Sequence, residues 1–291
     1  MFNEYTDLID KRLFEDLTAD AESGNITAQA MLYSLKAGGK RIRPLFTILF
    51  CEACGGKSEM AENAATAVEY IHSYSLIHDD LPCMDNDDFR RGKPSCHKQF
   101  GEDVALLAGD ALLTLAFEKI ADGAKSGRYT ADTAIRIISV LSSFSGYKGM
   151  IGGQALDLMG EGKDIDFDAL KTMDLLKTGK LIKAACAIGC LAAGAANEQV
   201  KAASVFGENV GLAFQITDDI LDVTGDFNKL GKLTGSDVSN NKSTYVKILG
   251  LQRSKEYAAE LTNEALNSLN AFSYKKDELR LLALSLVNRE R

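Results

Sequence analysis

Residues 199–222 read QVKAASVFGENVGLAFQITDDILD. Helical apolar periodicity without a single proline predicts one long helix here. Asp218 and Asp222 stand four apart and therefore stack on one helical face. Their neighbours Phe214, Ile216, Ile220, Leu221 and Val223 are apolar. Two carboxylates at that spacing repel, and apolar surroundings strip their water. That arrangement is costly unless a cation compensates. A solvated polar face is the plain alternative, but such faces rarely carry so many flanking hydrophobes.

Working outward, the helical pattern repeats almost throughout. Residues 4–20 place Tyr5, Leu8, Ile9, Leu13 and Leu17 near the 3.6-residue period. Segments around 28–37, 44–54, 58–80, 104–121, 131–147, 168–176, 179–195, 243–250, 254–271 and 276–288 read the same way. The only prolines are Pro44, Pro82 and Pro94, which leaves the last two-thirds of the chain open to long helices. No run alternates convincingly between hairpin turns, so the sequence predicts an all-α fold. Linker-like and low-complexity stretches are absent, which predicts one domain over residues 1–291. Residues 184–196 are rich in Ala, Gly and Cys, the composition of closely approaching helices. The longest non-helical stretch, TGDFNKLGKLTGSDVSNNK at 224–242, is long enough to expect a functional role.

Composition narrows the class. The formal net charge of -8 argues against a nucleic-acid binder, which needs a basic face. Six cysteines include a Cys51/Cys54 CxxC and the pair Cys186/Cys190. With no second CxxC or suitably placed histidine, they read as small apolar core residues, and a reducing cytoplasm fits them best. The N-terminus MFNEYTDLIDKRL lacks a signal-peptide layout. The apolar stretch 104–121 contains Asp110, Glu118 and Lys119, so it reads as a core helix, with no stable membrane association expected.

A second acidic cluster has the same problem in stronger form. In HDDLPCMDNDD, Asp79, Asp80, Asp85, Asp87 and Asp88 follow the apolar run 74–77, and Pro82 ends the helix. A few carboxylates, with remaining positions left to water and phosphate, suit Mg²⁺. Neither cluster has the spacing of a calcium-binding EF-hand. Cations alternate with the acids. GGKRIRP supplies Lys40, Arg41 and Arg43; RRGK supplies Arg90, Arg91 and Lys93; KTGK supplies Lys177 and Lys180, and Lys232 lies further on. Each alone reads as a solvated patch. Together with two acidic clusters they point to a metal–diphosphate site. No P-loop and no Ser-His-Asp or Cys-His pattern occurs. Of the three histidines, His78 and His97 read as structural.

The ordered set GGKRIRP (38–44), DDLPCMD (79–85), RRGKP (90–94), AGDALL (108–113), KTGKL (177–181), FQITDDILD (214–222), GKLTGSD (231–237) and KSTY (242–245) resembles the trans-isoprenyl diphosphate synthases, most of all the bacterial farnesyl diphosphate synthases. The resemblance covers nearly the whole chain. It implies an isoprenoid-synthase helical bundle around a deep central cavity, a homodimer, and three Mg²⁺ per active site. Asp79, Asp85 and Asp218 are implied as chief metal ligands, with Asp80, Asp219 and Asp222 assisting. Arg90, Lys177, Thr178, Gln215 and Lys232 are implied to hold an allylic diphosphate. Lys40, Arg43, His72 and Arg91 are implied to hold isopentenyl diphosphate.

The implied reaction ionises the allylic carbon–oxygen bond, and the isopentenyl double bond attacks the resulting cation. Positioning replaces an enzyme nucleophile, apolar walls exclude water, and the proton leaves to the released diphosphate. Tyr74 precedes Asp79 by five residues, roughly 7–8 Å along a helix. An aromatic there, with Ser75 beside it and the Pro82–Cys83 insertion, resembles the family members that stop at fifteen carbons. Ordinary core packing is the plain reading of Tyr74. A geranylgeranyl diphosphate synthase, a terpene cyclase, a non-catalytic regulatory subunit and a generic acidic helical scaffold are the rival readings, the last leaving the ordered cations unexplained. The isopentenyl-side cations count against the cyclase, and the intact acidic motifs count against the regulatory subunit. Arg289 and Arg291 read as a solvated tail.

Overall fold

The computed structural model describes residues 2–224 and 243–287. Helices α1 (Asn3–Glu22) and α2 (Ile26–Leu35) lead to α3 (Ile42–Ala53) and α4 (Ser58–Asp79). A two-stranded antiparallel hairpin, β1 (Phe89–Arg90) with β2 (Lys93–Pro94), follows. Then come α5 (Cys96–Phe100), α6 (Glu102–Lys125), α7 (Ala131–Ser145), α8 (Met150–Gly160) and α9 (Phe167–Asp174). A π turn (Leu175–Gly179) joins α9 to α10 (Lys180–Ala192), and α11 (Asn197–Thr224) follows. The chain continues in α12 (Tyr245–Leu249), α13 (Leu251–Ser268) and α14 (Lys276–Val287), with a 3₁₀ turn at Leu269–Ala271. The all-α expectation holds, with the hairpin as a two-residue-per-strand addition. The helices α5 and α8 lie outside the stretches the periodicity marked.

Local chemistry sets several helix starts. Asn25 accepts the amides of Thr27 and Ala28 at 3.1 Å each, capping α2. Thr130, Asp166 and Thr244 cap α7, α9 and α12 in the same manner. Pro44 sits in the first turn of α3, where an amide has no intrahelical partner to lose. α4 ends at Asp79, three residues ahead of Pro82.

The interior is built by α3, α4, α10 and α11, with α6 along α4 and α13 along α11. Phe206 of α11 meets Phe46 and Phe50 of α3 edge-on, with ring centroids 5.5 and 5.1 Å apart. The small-residue stretch of α10 lets it close on α3: a Cβ on Gly189 would stand 2.2 Å from the Thr47 carbonyl oxygen. Cys51, Cys96, Cys186 and Cys190 are buried and unbridged, while Cys83 is exposed. No helix among the described residues is long and apolar enough to cross a membrane.

Candidate active site

The first acidic cluster forms where α4 runs out. Beyond Asp79 the chain folds back, so that the Asp85 amide donates to the Asp79 carbonyl at 2.9 Å. Asn86, at φ +52°, donates to the Leu81 carbonyl and completes the reversal. Asp79 and Asp85 thus share one end of the helix. Burial pushes the Asp79 carboxyl up to about 6; Lys177 pulls it down and Asp85 adds to the rise. Asp80 is buried and faces elsewhere. It accepts the Arg90 guanidinium, with Nε 2.9 Å from Oδ1 and 3.2 Å from Oδ2 and with Nη2 also on Oδ1. Arg90 reaches Asp87 too, at 3.3 Å. The β-hairpin holds Arg90 and Arg91 in this position.

The π turn presents Lys177 and Thr178 to the same region. Its backbone is squeezed from two sides. A Cβ on Gly153 of α8 would stand 2.2 Å from the Lys177 nitrogen, and one on Gly211 of α11 would stand 2.8 Å from the Gly179 Cα. π turns are rare and frequent at functional sites. The Lys177 ammonium pairs with Asp157 of α8. Burial disfavours its charge, but Asp157 first, then Asp79 and Asp85, hold it protonated, above its ordinary range.

The second cluster lies on α11. Asp218 and Asp222 are half-buried; Asp219 is buried. Asp219 accepts the Tyr245 amide at 2.8 Å through Oδ2, and Gln215 approaches Oδ1 at 3.5 Å. Beneath it lies Asp174, whose carboxyl is pushed up to about 8 by burial and then by Asp219. Asp174 Oδ2 and the Tyr245 hydroxyl are buried close to each other, with no other partner among the described residues, and the hydroxyl opposes the rise of the Asp174 carboxyl. A cavity of about 430 Å³ opens between α8, the π turn and α11, its wall including Arg90, Asp157, Asp174, Lys177, Gln215 and Asp219.

A separate positive cluster sits at the start of α3. Arg43 Nη1 stands 3.3 Å from His72 Nε2. Burial drives His72 well below its usual range, and Arg43 and Arg91 add to that, so the ring is neutral and its Nε2 can accept. Burial also lowers Arg43, to about 10, with Glu69 opposing and Arg91 assisting; its buried Nε lacks a partner. The Arg91 guanidinium lies against Gly39, which has no Cβ to obstruct it, and Lys40 is exposed nearby. Arg41 is different. At φ +49° it turns inward, 2% exposed, onto Glu69 at 2.9 Å and Asp10 at 2.8 Å. It clamps α1 and α4, and so leaves the group of cations the sequence offered for phosphate.

Tyr74 is buried on the α6 side of α4 and its hydroxyl has no hydrogen-bond partner. Ser75 turns back and donates to the His72 carbonyl at 2.9 Å. His97 is buried with Ser95 Oγ 3.1 Å from its Nδ1. Lys232 lies outside the described residues. Asp157, Asp174 and Tyr245 were not singled out by sequence reasoning. For Asp157 a signal existed: in MIGGQALDLMG, Gln154 and Asp157 are three apart, hence on one face once 150–160 is read as a helix.

Residues 25–280 match the polyprenyl synthetase family. The chain belongs to this family. The farnesyl diphosphate synthase of Micrococcus luteus is 44% identical over 263 residues, 90% of this chain and 89% of that protein. The heterodimeric geranylgeranyl pyrophosphate synthase large subunit 1 of Arabidopsis thaliana, a chloroplastic protein, is 46% identical over 85% of this chain and 68% of its own. Among solved structures, the geranylgeranyl pyrophosphate synthetase of Pyrococcus horikoshii superposes with a TM-score of 0.90 at 32% identity, covering 99% of this chain and 97% of that one. The geranyltransferase of Helicobacter pylori, complexed with magnesium and isoprenyl diphosphate, superposes at 0.77 with 37% identity, over 90% and 87%. This prenyl synthase therefore has the all-α isoprenoid-synthase fold, and its family places it among the trans-prenyl diphosphate synthases.

Proposed function

We propose that the enzyme condenses isopentenyl diphosphate with dimethylallyl and geranyl diphosphates and releases (2E,6E)-farnesyl diphosphate. The observation that carries this reading is the separation of charge: Lys177 among the carboxylates of Asp79, Asp85 and Asp157, with Asp219 on the wall of the same cavity as Lys177, and a distinct cluster of Arg43, Arg91 and neutral His72 at the start of α3. Two anionic substrates, one delivered with metal and one without, fit that division.

The carboxylates fit magnesium. Their donors are all carboxylate oxygens, and Asp79 and Asp85 share one helix end, which suits a hard ion that takes few protein ligands and keeps water. Asp79, Asp85, Asp218 and Asp222 would hold it, with three ions per site. Bound there, magnesium supplies Lewis-acid neutralisation of a leaving diphosphate. Lys177, held charged by Asp157, and Arg90, oriented by Asp80, bring fixed positive charge to the same oxygens, with Thr178 and Gln215 as neutral donors. Lys232 is assigned to that set on sequence alone. Arg43, Arg91 and Lys40 bind the isopentenyl diphosphate, and neutral His72 orients Arg43. Tyr74 blocks growth past fifteen carbons, with Ser75 beside it. The Micrococcus relative supports the farnesyl product, whereas the Arabidopsis and Pyrococcus names favour geranylgeranyl diphosphate as the second reading. One domain, a homodimer and a cytoplasmic location complete the proposal.

The test is incubation with isopentenyl diphosphate and dimethylallyl or geranyl diphosphate, with Mg²⁺ or with a chelator. Metal-dependent fifteen-carbon product is expected. A twenty-carbon product selects the second reading, and absence of any condensation overturns both.

A further inference from the structure

Glycine in the middle of a helix lowers its stability relative to alanine, so Gly109, well inside α6, calls for a packing reason. The reason is His78. A Cβ on Gly109 would stand 2.0 Å from His78 Nε2 and 2.4 Å from its Cδ2, so the glycine is a slot for the imidazole. In that slot Nε2 lies 3.1 Å from the Leu106 carbonyl oxygen. A carbonyl only accepts, so this contact makes Nε2 a hydrogen-bearing nitrogen, and the Asp110 carboxylate stands 4.0 Å from the same atom. One helical turn back, the Tyr74 ring meets His78 edge-on, with centroids 5.7 Å apart and planes at 75°. The Tyr74 hydroxyl has no hydrogen bond to fix the ring. Within the core cluster that buries Tyr74, the ring packed edge-on against it is the histidine, and what seats the histidine is α6.

We propose that His78, seated in the Gly109 slot and tied to the Leu106 carbonyl, is a specificity-determining residue that braces Tyr74 and so sets where chain growth stops. This rests on the reading of Tyr74 as the stop. Without the brace, the phenol ring gains rotamer freedom and yields to a growing isoprenoid chain that it otherwise obstructs. His78 acts through Tyr74 and touches no diphosphate, so its loss alters the product without altering the affinity for isopentenyl diphosphate.

The experiment compares wild type, His78→Ala, His78→Phe and Tyr74→Ala, by chromatography of the prenyl alcohols released from products made with labelled isopentenyl diphosphate. His78→Ala is expected to raise the ratio of twenty- to fifteen-carbon product by about fivefold, the scale of a lost edge-to-face contact. The KM for isopentenyl diphosphate stays at the wild-type value. His78→Phe, which keeps a ring against Tyr74, is expected to restore the wild-type ratio. A merely structural role would lower the melting temperature in both variants and leave the ratio alone. If His78→Ala does not fold, His78→Gln, which still reaches the Leu106 carbonyl but has no ring, replaces it. Longer product from Tyr74→Ala with an unchanged ratio in His78→Ala overturns the brace and leaves the Tyr74 reading standing. An unchanged ratio in Tyr74→Ala overturns the Tyr74 reading itself.

Discussion

Arg90 closes a fork on Asp80, with Nε 2.9 Å from one carboxylate oxygen and 3.2 Å from the other. Adjacent aspartates thereby diverge in role. Asp79 faces Lys177 and Asp85, whereas Asp80 is committed to aiming a guanidinium. Asp80→Asn is expected to raise the KM for the allylic diphosphate through a displaced Arg90 and to destabilise the fold by about 1–3 kcal/mol. Asp79→Asn is expected instead to abolish the rise in melting temperature that Mg²⁺ with inorganic diphosphate gives the wild type. Steady-state kinetics and thermal melts on the two variants separate these outcomes. Identical behaviour in both would overturn the division.

Gly153→Ala tests the squeezed π turn. The added methyl meets the Lys177 backbone at 2.2 Å, which side-chain movement cannot relieve. Overpacking of this kind costs roughly 1–3 kcal/mol. Because the displaced atom belongs to Lys177 itself, activity on the allylic substrate is expected to fall further than the melting temperature implies. Activity measured well below the melting transition decides it: near-wild-type kcat/KM there would show that the turn tolerates displacement.

Asp174 gives a pH dependence with a definite sign. Its folded carboxyl sits at about 8, raised by burial and by Asp219, against about 3.9 in an unfolded chain. The folded state binds the proton more tightly, so this group's stabilisation is full at acid pH and is lost as pH rises from about 4 through 8. Asp174→Asn cannot ionise. In the presence of chelator, the wild-type melting temperature is expected to fall relative to this variant across that interval and then to level off. Parallel profiles would show that Asp174 is already ionised near neutrality.

Tyr74→Phe is expected to leave product length unchanged, because the hydroxyl it removes is buried and makes no hydrogen bond. Stability is expected to hold or rise, since an unsatisfied polar atom is removed. Chromatography of the products checks the first point and thermal melting the second. A longer product would show that the hydroxyl, and not the ring, sets the length.

The long helices were legible because apolar periodicity and scarce proline act locally. α8 was not: Gly149, Gly152, Gly153 and Gly160 dilute the pattern, and at the first three neighbouring backbone comes close. The two aspartate clusters announced themselves as concentrated like charge. Asp157 and Asp174 did not, since each is a single carboxylate whose significance lies in burial and in partners far along the chain. Nor could GGKRIRP reveal which cation turns inward. Arg41 and Arg43 are equivalent by composition, and only the positive φ of Arg41 separates them.

That separation places neighbouring arginines under different selection. Arg41, clasped by Glu69 and Asp10, is needed by any chain that folds this way, whether or not it turns over substrate. Arg43, whose Nε stays unpartnered and whose Nη1 meets only His72 among the described residues, is the one that the proposed isopentenyl diphosphate site would maintain. A descendant that gave up catalysis for a partner-binding role is therefore expected to keep the first arginine and drift at the second. The ratio of change at these two positions is a sequence-level gauge of whether a relative is still an enzyme.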